Sequence, residues 1–168
     1  MTTYAPDTPA SPGRTVVTTP DDTSIVMTRS FEAPRELVFE LWTDPDVVPS
    51  FWGPAAYTSE VVDWKLRAGG TWRIITTTDS GQKVDFHGTF VRVEQPALIE
   101  WTFGFDDVPP SPETLFIDEA DGVTTLRSVS VYPDREIRDM VLGTGMEAGA
   151  AEMHDRFATV LKQQAWGE

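Results

Sequence analysis

The chain has 168 residues, with 13 Lys and Arg against 27 Asp and Glu and a formal net charge of −14. That length fits one domain able to bury about 70% of its unfolded surface, and a field of that sign repels phosphate backbones and anionic lipid headgroups, which argues against nucleic-acid and membrane-surface roles. The absence of cysteine excludes disulfides, thiolate nucleophiles and sulfur-ligated metals.

Residues 1–22 are rich in Thr, Pro and Asp, and Pro6, Pro9, Pro12 and Pro20 break any regular period. They predict a disordered tail in which Val16 to Thr19 leaves room for a short edge strand. The N-terminus has neither a basic n-region nor an apolar h-region, and no later run approaches a membrane span, so a cytoplasmic protein is expected. Residues 23–165 read as a single domain. Ser24 to Phe31 predicts its first strand. Ala33-Pro34-Arg35-Glu36 then opens a helix with proline in the first turn and an acid near the positive end of the dipole. Asp44-Pro45 stops it, and Asp46 to Phe51 predicts a second short helix before the Gly53-Pro54 turn.

From Thr58 to Tyr132 the period changes to two, which predicts a six-stranded antiparallel meander with turns at Gly69-Gly70, Asp79-Ser80-Gly81, Gln95-Pro96, Pro109-Pro110 and Asp121-Gly122. Val62, Trp64 and Leu66 take one face of their strand. Trp72 with Ile74, and Ile99, Trp101, Phe103 and Phe105, do the same on theirs, the pattern of a sheet wet on one side. Phe86, Gly88 and Phe90 share one parity while Val91 and Val93 take the other, predicting a bulge near Gly88. Pro133-Asp134 begins a short helix to Leu142, and Thr144-Gly145-Met146-Glu147 matches a capping box that would start the last helix at Thr144.

The apolar stripe of that last helix runs through Met146, Gly149, Ala150, Met153, Phe157, Val160 and Leu161. Glycine inside a helix costs about 1 kcal/mol relative to alanine, so either something packs closely on Gly149 or space is left beside it. A pocket between this helix and the aromatic face of the sheet would be walled by Trp52, Trp64, Trp72, Phe86, Trp101, Phe103, Met146, Gly149, Met153 and Phe157. For each ring, simple core filling is the competing reading. Ser128 and Ser130, with Tyr132, offer hydroxyls to the same pocket if their parity faces inward, and both parities of that strand remain open. His87 and Asp85 are the weak candidates for acid and base chemistry, with a parity that points outward. His154 beside Asp155 reads as a solvated pair. The histidines share no metal-ligand spacing and no phosphate-cradling loop opens a helix, so neither a metal nor a nucleotide or other cofactor is predicted.

Particular motifs bring a family into view. Ala33-Pro34-Arg35-Glu36-Leu37-Val38-Phe39, Leu41-Trp42-Thr43-Asp44-Pro45, Phe51-Trp52-Gly53-Pro54, Gly69-Gly70-Thr71-Trp72-Arg73, His87-Gly88-Thr89-Phe90 and Gly145-Met146-Glu147-Ala148-Gly149-Ala150-Ala151-Glu152 resemble the branch of the START-like (SRPBCC) superfamily related to the activator of a heat-shock-protein ATPase, over roughly Ser24 to Leu161. The resemblance implies an α+β helix-grip fold. In it, a curved antiparallel sheet of about seven strands wraps a long C-terminal helix, with two short helices after the first strand and a cavity between sheet and helix. Glu100 stands where the family usually has an apolar residue. The functional expectation is binding of an apolar or aromatic small molecule without chemistry, by a monomer or homodimer. The alternatives are a cyclase- or hydrolase-like enzyme in the same cavity and a chaperone-cofactor module, for which the acidic helix face of Glu147, Glu152 and Asp155 would be the patch.

Overall fold

The structure is a computed structural model and describes residues 13–166. The first twelve residues of the predicted tail lie outside that range. Eight antiparallel strands form one sheet: β1 (Val16–Thr18), β2 (Ser24–Phe31), β3 (Thr58–Trp64), β4 (Thr71–Thr77), β5 (Lys83–Glu94), β6 (Leu98–Phe105), β7 (Val108–Ala120) and β8 (Val123–Val131), in the order β1-β2-β8-β7-β6-β5-β4-β3. The eighth strand comes from Val16–Thr18, which pairs with β2 through Val16↔Thr28 and Thr18↔Val26. Three helices complete the α+β architecture: α1 (Arg35–Trp42), α2 (Arg135–Leu142) and the long α3 (Met146–Trp166), with a single 3-10 turn at Val48–Ser50 where a second short helix is predicted.

The period-two pattern works as the physics requires. Trp72 and Ile74 on β4, Phe90 on β5, Ile99 and Trp101 on β6, Leu115 and Ile117 on β7 and Leu126 on β8 all turn inward and are buried. Burying each is worth roughly 1.5–3 kcal/mol. Val38, Phe39, Leu41 and Trp42 of α1 close one end of the same core, together with Phe157 and Leu161 of α3.

Four local expectations are corrected. Val62 lies outside the inward face, because the β3–β4 register shifts between Val61 and Asp63 and leaves it exposed. The irregularity predicted near Gly88 falls between Phe90 and Arg92, where Val91 is turned out. Pro109-Pro110 makes no turn; the reversal occurs at Asp106-Asp107, with Asp106 at φ 50°. The prolines are tolerated inside β7 because residues 108–112 pair only with β6, the pairing with β8 beginning at Glu113↔Ser130. Thr144 does not cap α3: Gly145 takes a left-handed φ of 81°, and the Thr144 hydroxyl donates to the Val141 carbonyl, closing α2 instead.

Gly88 has a different duty from the one predicted. It is the cross-strand partner of Trp72, and the Trp72 indole passes over it to donate to the Thr102 carbonyl of β6 at 3.1 Å. A Cβ at Gly88 would stand 1.8 Å from that oxygen and 2.8 Å from the indole nitrogen. Gly88→Ala is therefore expected to lower stability by about 3 kcal/mol in urea unfolding, at the upper end of overpacking costs. A loss under about 1 kcal/mol would contradict this close approach.

Candidate functional site

The long helix is seated by Phe157. Its ring is fully buried and meets Phe31 of β2, Trp42 of α1 and Phe51 edge-on, with centroids 5.2, 5.0 and 4.9 Å away. Polar contacts then hold α3 on both flanks. Arg29 of β2 donates to Asp155 at 2.8 Å. On the other flank, the Ala55 N–H donates to Glu152 and the Arg156 guanidinium to the Gly53 carbonyl. The acidic face predicted on this helix thus has two of its three carboxylates engaged inside the molecule.

His154 is not solvated, as the sequence implied. It is buried, its ring lies 6.2 Å from Phe31 and 6.1 Å from Trp42, and its Nδ1 is 2.8 Å from the Thr15 hydroxyl. Burial, and then the positive charge of Arg29, push its pKa down to about 4 against a smaller opposing effect of Asp155. The ring is neutral and structural.

The predicted pocket rings fall into two groups. Trp52, Trp64, Trp72, Phe86, Trp101 and Phe103 form one continuous cluster, with Trp72 stacked on Trp101 at 4.4 Å, Trp52 on Phe103 at 6.1 Å and Phe86 5.6 Å from Trp52. Phe157 belongs to the other, around Phe31, Trp42 and Phe51. Between Trp42, Trp52, Trp64, Phe90 and Trp101 a void of about 10 Å³ remains, room for about one water. At that end the rings fill the interior. Toward the other end Phe86, Phe103 and Met153 are only half-buried.

Register shows what continues along the inward face from the seat of α3. Phe157 and Asp155 meet Phe31 and Arg29, and the inward positions of β2 run on from there through Met27 to Ile25. There Met27 pairs with Ser128 and Ile25 with Ser130 on β8, Ser130 pairs with Glu113 on β7, and Glu113 with Trp101 on β6. The parity of β8 is thereby settled: Ser128 and Ser130 are buried on the inward side. On α3 Gly149 is half-buried, and a Cβ built on it would meet nothing beyond its own helix within 4 Å. Close packing is therefore not what glycine serves here.

Glu113 and Tyr132 are the charged or ionisable members of that row. Glu113 is 9% exposed. Desolvation raises its carboxyl pKa to about 7, while the Trp101 indole N–H and the Ser130 hydroxyl pull the other way. The indole N–H makes no hydrogen bond of full geometry, and neither does the buried Ser128 hydroxyl. Burial, and then the Glu113 charge, raise the Tyr132 pKa to about 12, opposed by Ser130. Glu113 was not singled out in the sequence, although it shares its parity with Leu115 and Ile117; the prolines before it hide the strand. His87 and Asp85, by contrast, lie on the outer face. Asp85 accepts from Arg73 Nε and Nη2 at 3.0 and 2.8 Å, which holds its carboxyl below the usual range, and His87 Nε2 is 3.3 Å from the Asp106 carbonyl. An interior reaction has no use of either. Among the described residues no cluster of three or more His, Asp or Glu is placed to hold a metal ion, and no helix is long and apolar enough to cross a membrane.

A curved antiparallel sheet gripping one long C-terminal helix, with its lining between them, defines the helix-grip class of the START-like superfamily. The chain belongs to the family described as Activator of Hsp90 ATPase homolog 1-like protein, which matches residues 32–162. Protein Ms6760 from Mycobacterium smegmatis has a similar structure, with a TM-score of 0.81 and 27% identity over 88% of this chain and 96% of that one. A Rhodobacter sphaeroides protein aligns with a TM-score of 0.83 and 20% identity over 89% and 98%. One from Arthrobacter aurescens aligns with 0.80 and 23% over 88% and 91%. No curated protein matches the chain significantly.

The two buried titrating groups act in opposite senses. Glu113 titrates at about 7 in the folded state against an ordinary 4.5, so folding takes up a proton between these values and stability falls as pH rises through them, by roughly 3 kcal/mol in all. His154 titrates at about 4 against 6.5, so folding releases a proton and stability rises with pH across that window. Urea unfolding from pH 4 to 8 is expected to show a largely flat profile up to about 6.5. In Glu113→Gln it should rise to that point and stay high. A variant profile parallel to that of the parent would contradict the raised carboxyl pKa.

Proposed function

We propose that the protein binds an apolar or aromatic small molecule between the sheet and the first turns of α3, without transforming it. The observation that carries this reading is Gly149. On a helix whose Phe157 packs among rings, the position beside Met146 and Met153 has no side chain, and apart from the helix's own adjacent backbone nothing lies within 4 Å of where one would stand. On the inward face of the sheet, Phe86 and Phe103 are only half-buried and keep exposed area that a guest would cover, at roughly 25 cal/mol per Å² before the costs of association. The inward Ser128 and Ser130 hydroxyls supply orientation beside the aromatic lining. A small-molecule partner in place of nucleic acid or an anionic membrane rests on the net charge of −14, and a cytoplasmic setting belongs to the same proposal.

Native mass spectrometry of the purified chain, followed by denaturing extraction, is expected to reveal a co-purifying non-covalent small molecule. Gly149→Leu should fold normally and lose it. Gly149→Ala should raise stability by up to about 1 kcal/mol through helix propensity alone. A Gly149→Leu variant that binds the same molecule as well as the parent, or that fails to fold, would overturn this placement of the pocket.

A further inference from the structure

The polar row beneath α3 carries a more specific reading, which rests on the proposed pocket. Glu113 is a carboxyl 9% exposed in a row of otherwise uncharged side chains. None of the ion pairs among the described residues includes it. Arg29, the basic residue on the inward face of β2, is already held by Asp155 and Thr15. On β6, Trp101 is the cross-strand partner of Glu113, with Phe103 next on the same face, and on β8 stands Ser130. The buried Ser128 hydroxyl there lacks a hydrogen bond, and the groups directed at Glu113, the Trp101 indole N–H and the Ser130 hydroxyl, carry no charge. A buried carboxyl without a cation is costly unless it holds its proton or meets a positive partner. Aromatic faces beside it favour a cation as well, and the acidic protein as a whole draws cations toward it.

We propose that the guest carries a protonated amine, whose charge pairs with the Glu113 carboxylate while its apolar body lies against Phe103 and Trp101. An anionic head would meet a carboxylate inside a molecule of net charge −14. A neutral head would leave Glu113 without its charge partner. The amine also accounts for Gly149, because a head group anchored at Glu113 extends the rest of the guest toward the start of α3.

Three probes sharing one ring system separate these cases: naphthylethylamine, naphthylethanol and naphthylacetate, titrated calorimetrically into the full chain at neutral pH. The amine is expected to bind at least about tenfold more tightly than the alcohol, a difference of about 1.4 kcal/mol, with the acetate weakest. Glu113→Gln, whose fold is checked by circular dichroism, should bring the amine to the level of the alcohol and leave the alcohol within about twofold of its parent value. An alcohol that binds as well as the amine, or an amine preference that survives in Glu113→Gln, overturns the assignment. Failure of all three probes at millimolar concentration overturns it too. The pocket itself is judged separately, by whether Gly149→Leu folds and loses the guest recovered by mass spectrometry.

Discussion

The seat of Phe157 is the contact on which the rest of the molecule depends. Three rings from three different segments, Phe31, Trp42 and Phe51, converge on it, and each edge-to-face pair adds about 0.5–1.5 kcal/mol beyond simple burial. With that point fixed, Arg29–Asp155 on one flank and Arg156 on the Gly53 carbonyl on the other leave α3 a single direction across the sheet. The C-terminal half of the helix then fills the core through Val160 and Leu161. Along β7 and β8 the inward residues change from Leu and Ile to Ser, Ser and Glu. Fold and candidate site are two ends of one helix, divided at the seat.

That division also sorts the electrostatics. Near the seat, His154 is kept neutral by burial and by Arg29, and its hydrogen bond to Thr15 ties the β1 region to the helix. Beyond the seat, Glu113 is kept near its protonated form by desolvation. A carboxyl poised near neutrality inside an aromatic lining is the feature of this chain that core packing does not explain. Apolar residues such as Leu115 and Ile117 fill the neighbouring inward positions of the same strand without it. Removing it would relieve a desolvation cost, so its role is sought in what it meets.

Much of the fold was legible because its strands alternate cleanly and its first two helices carry proline and aspartate at their starts. Trp72 with Ile74, and Ile99 with Trp101, announce their face by period alone. What escaped is what period cannot carry. Val62 looked inward until a one-residue register shift turned it out, and Thr144 looked like a cap until Gly145 took a left-handed turn. His154 lies at the edge of a helical stripe, and only the β1 segment folding back with Thr15 buries it. The aromatic members of the candidate site were readable as a face, but their division into a packed cluster and a half-open one depends on where Phe157 sits, which is tertiary. Glu113 was hidden by Pro109 and Pro110, which read as a turn while forming the half-paired start of β7.

The most direct test of this account is an isotope-edited NMR titration of the glutamate side-chain carboxyls, with Glu113→Gln used to assign the resonance of Glu113. The account predicts one glutamate titrating at about 7, absent from the variant, in a protein that stays folded throughout. A Glu113 carboxyl that titrates near the ordinary 4.5 would mean that bulk water reaches the row beneath α3. The dry polar end of the pocket would then not exist.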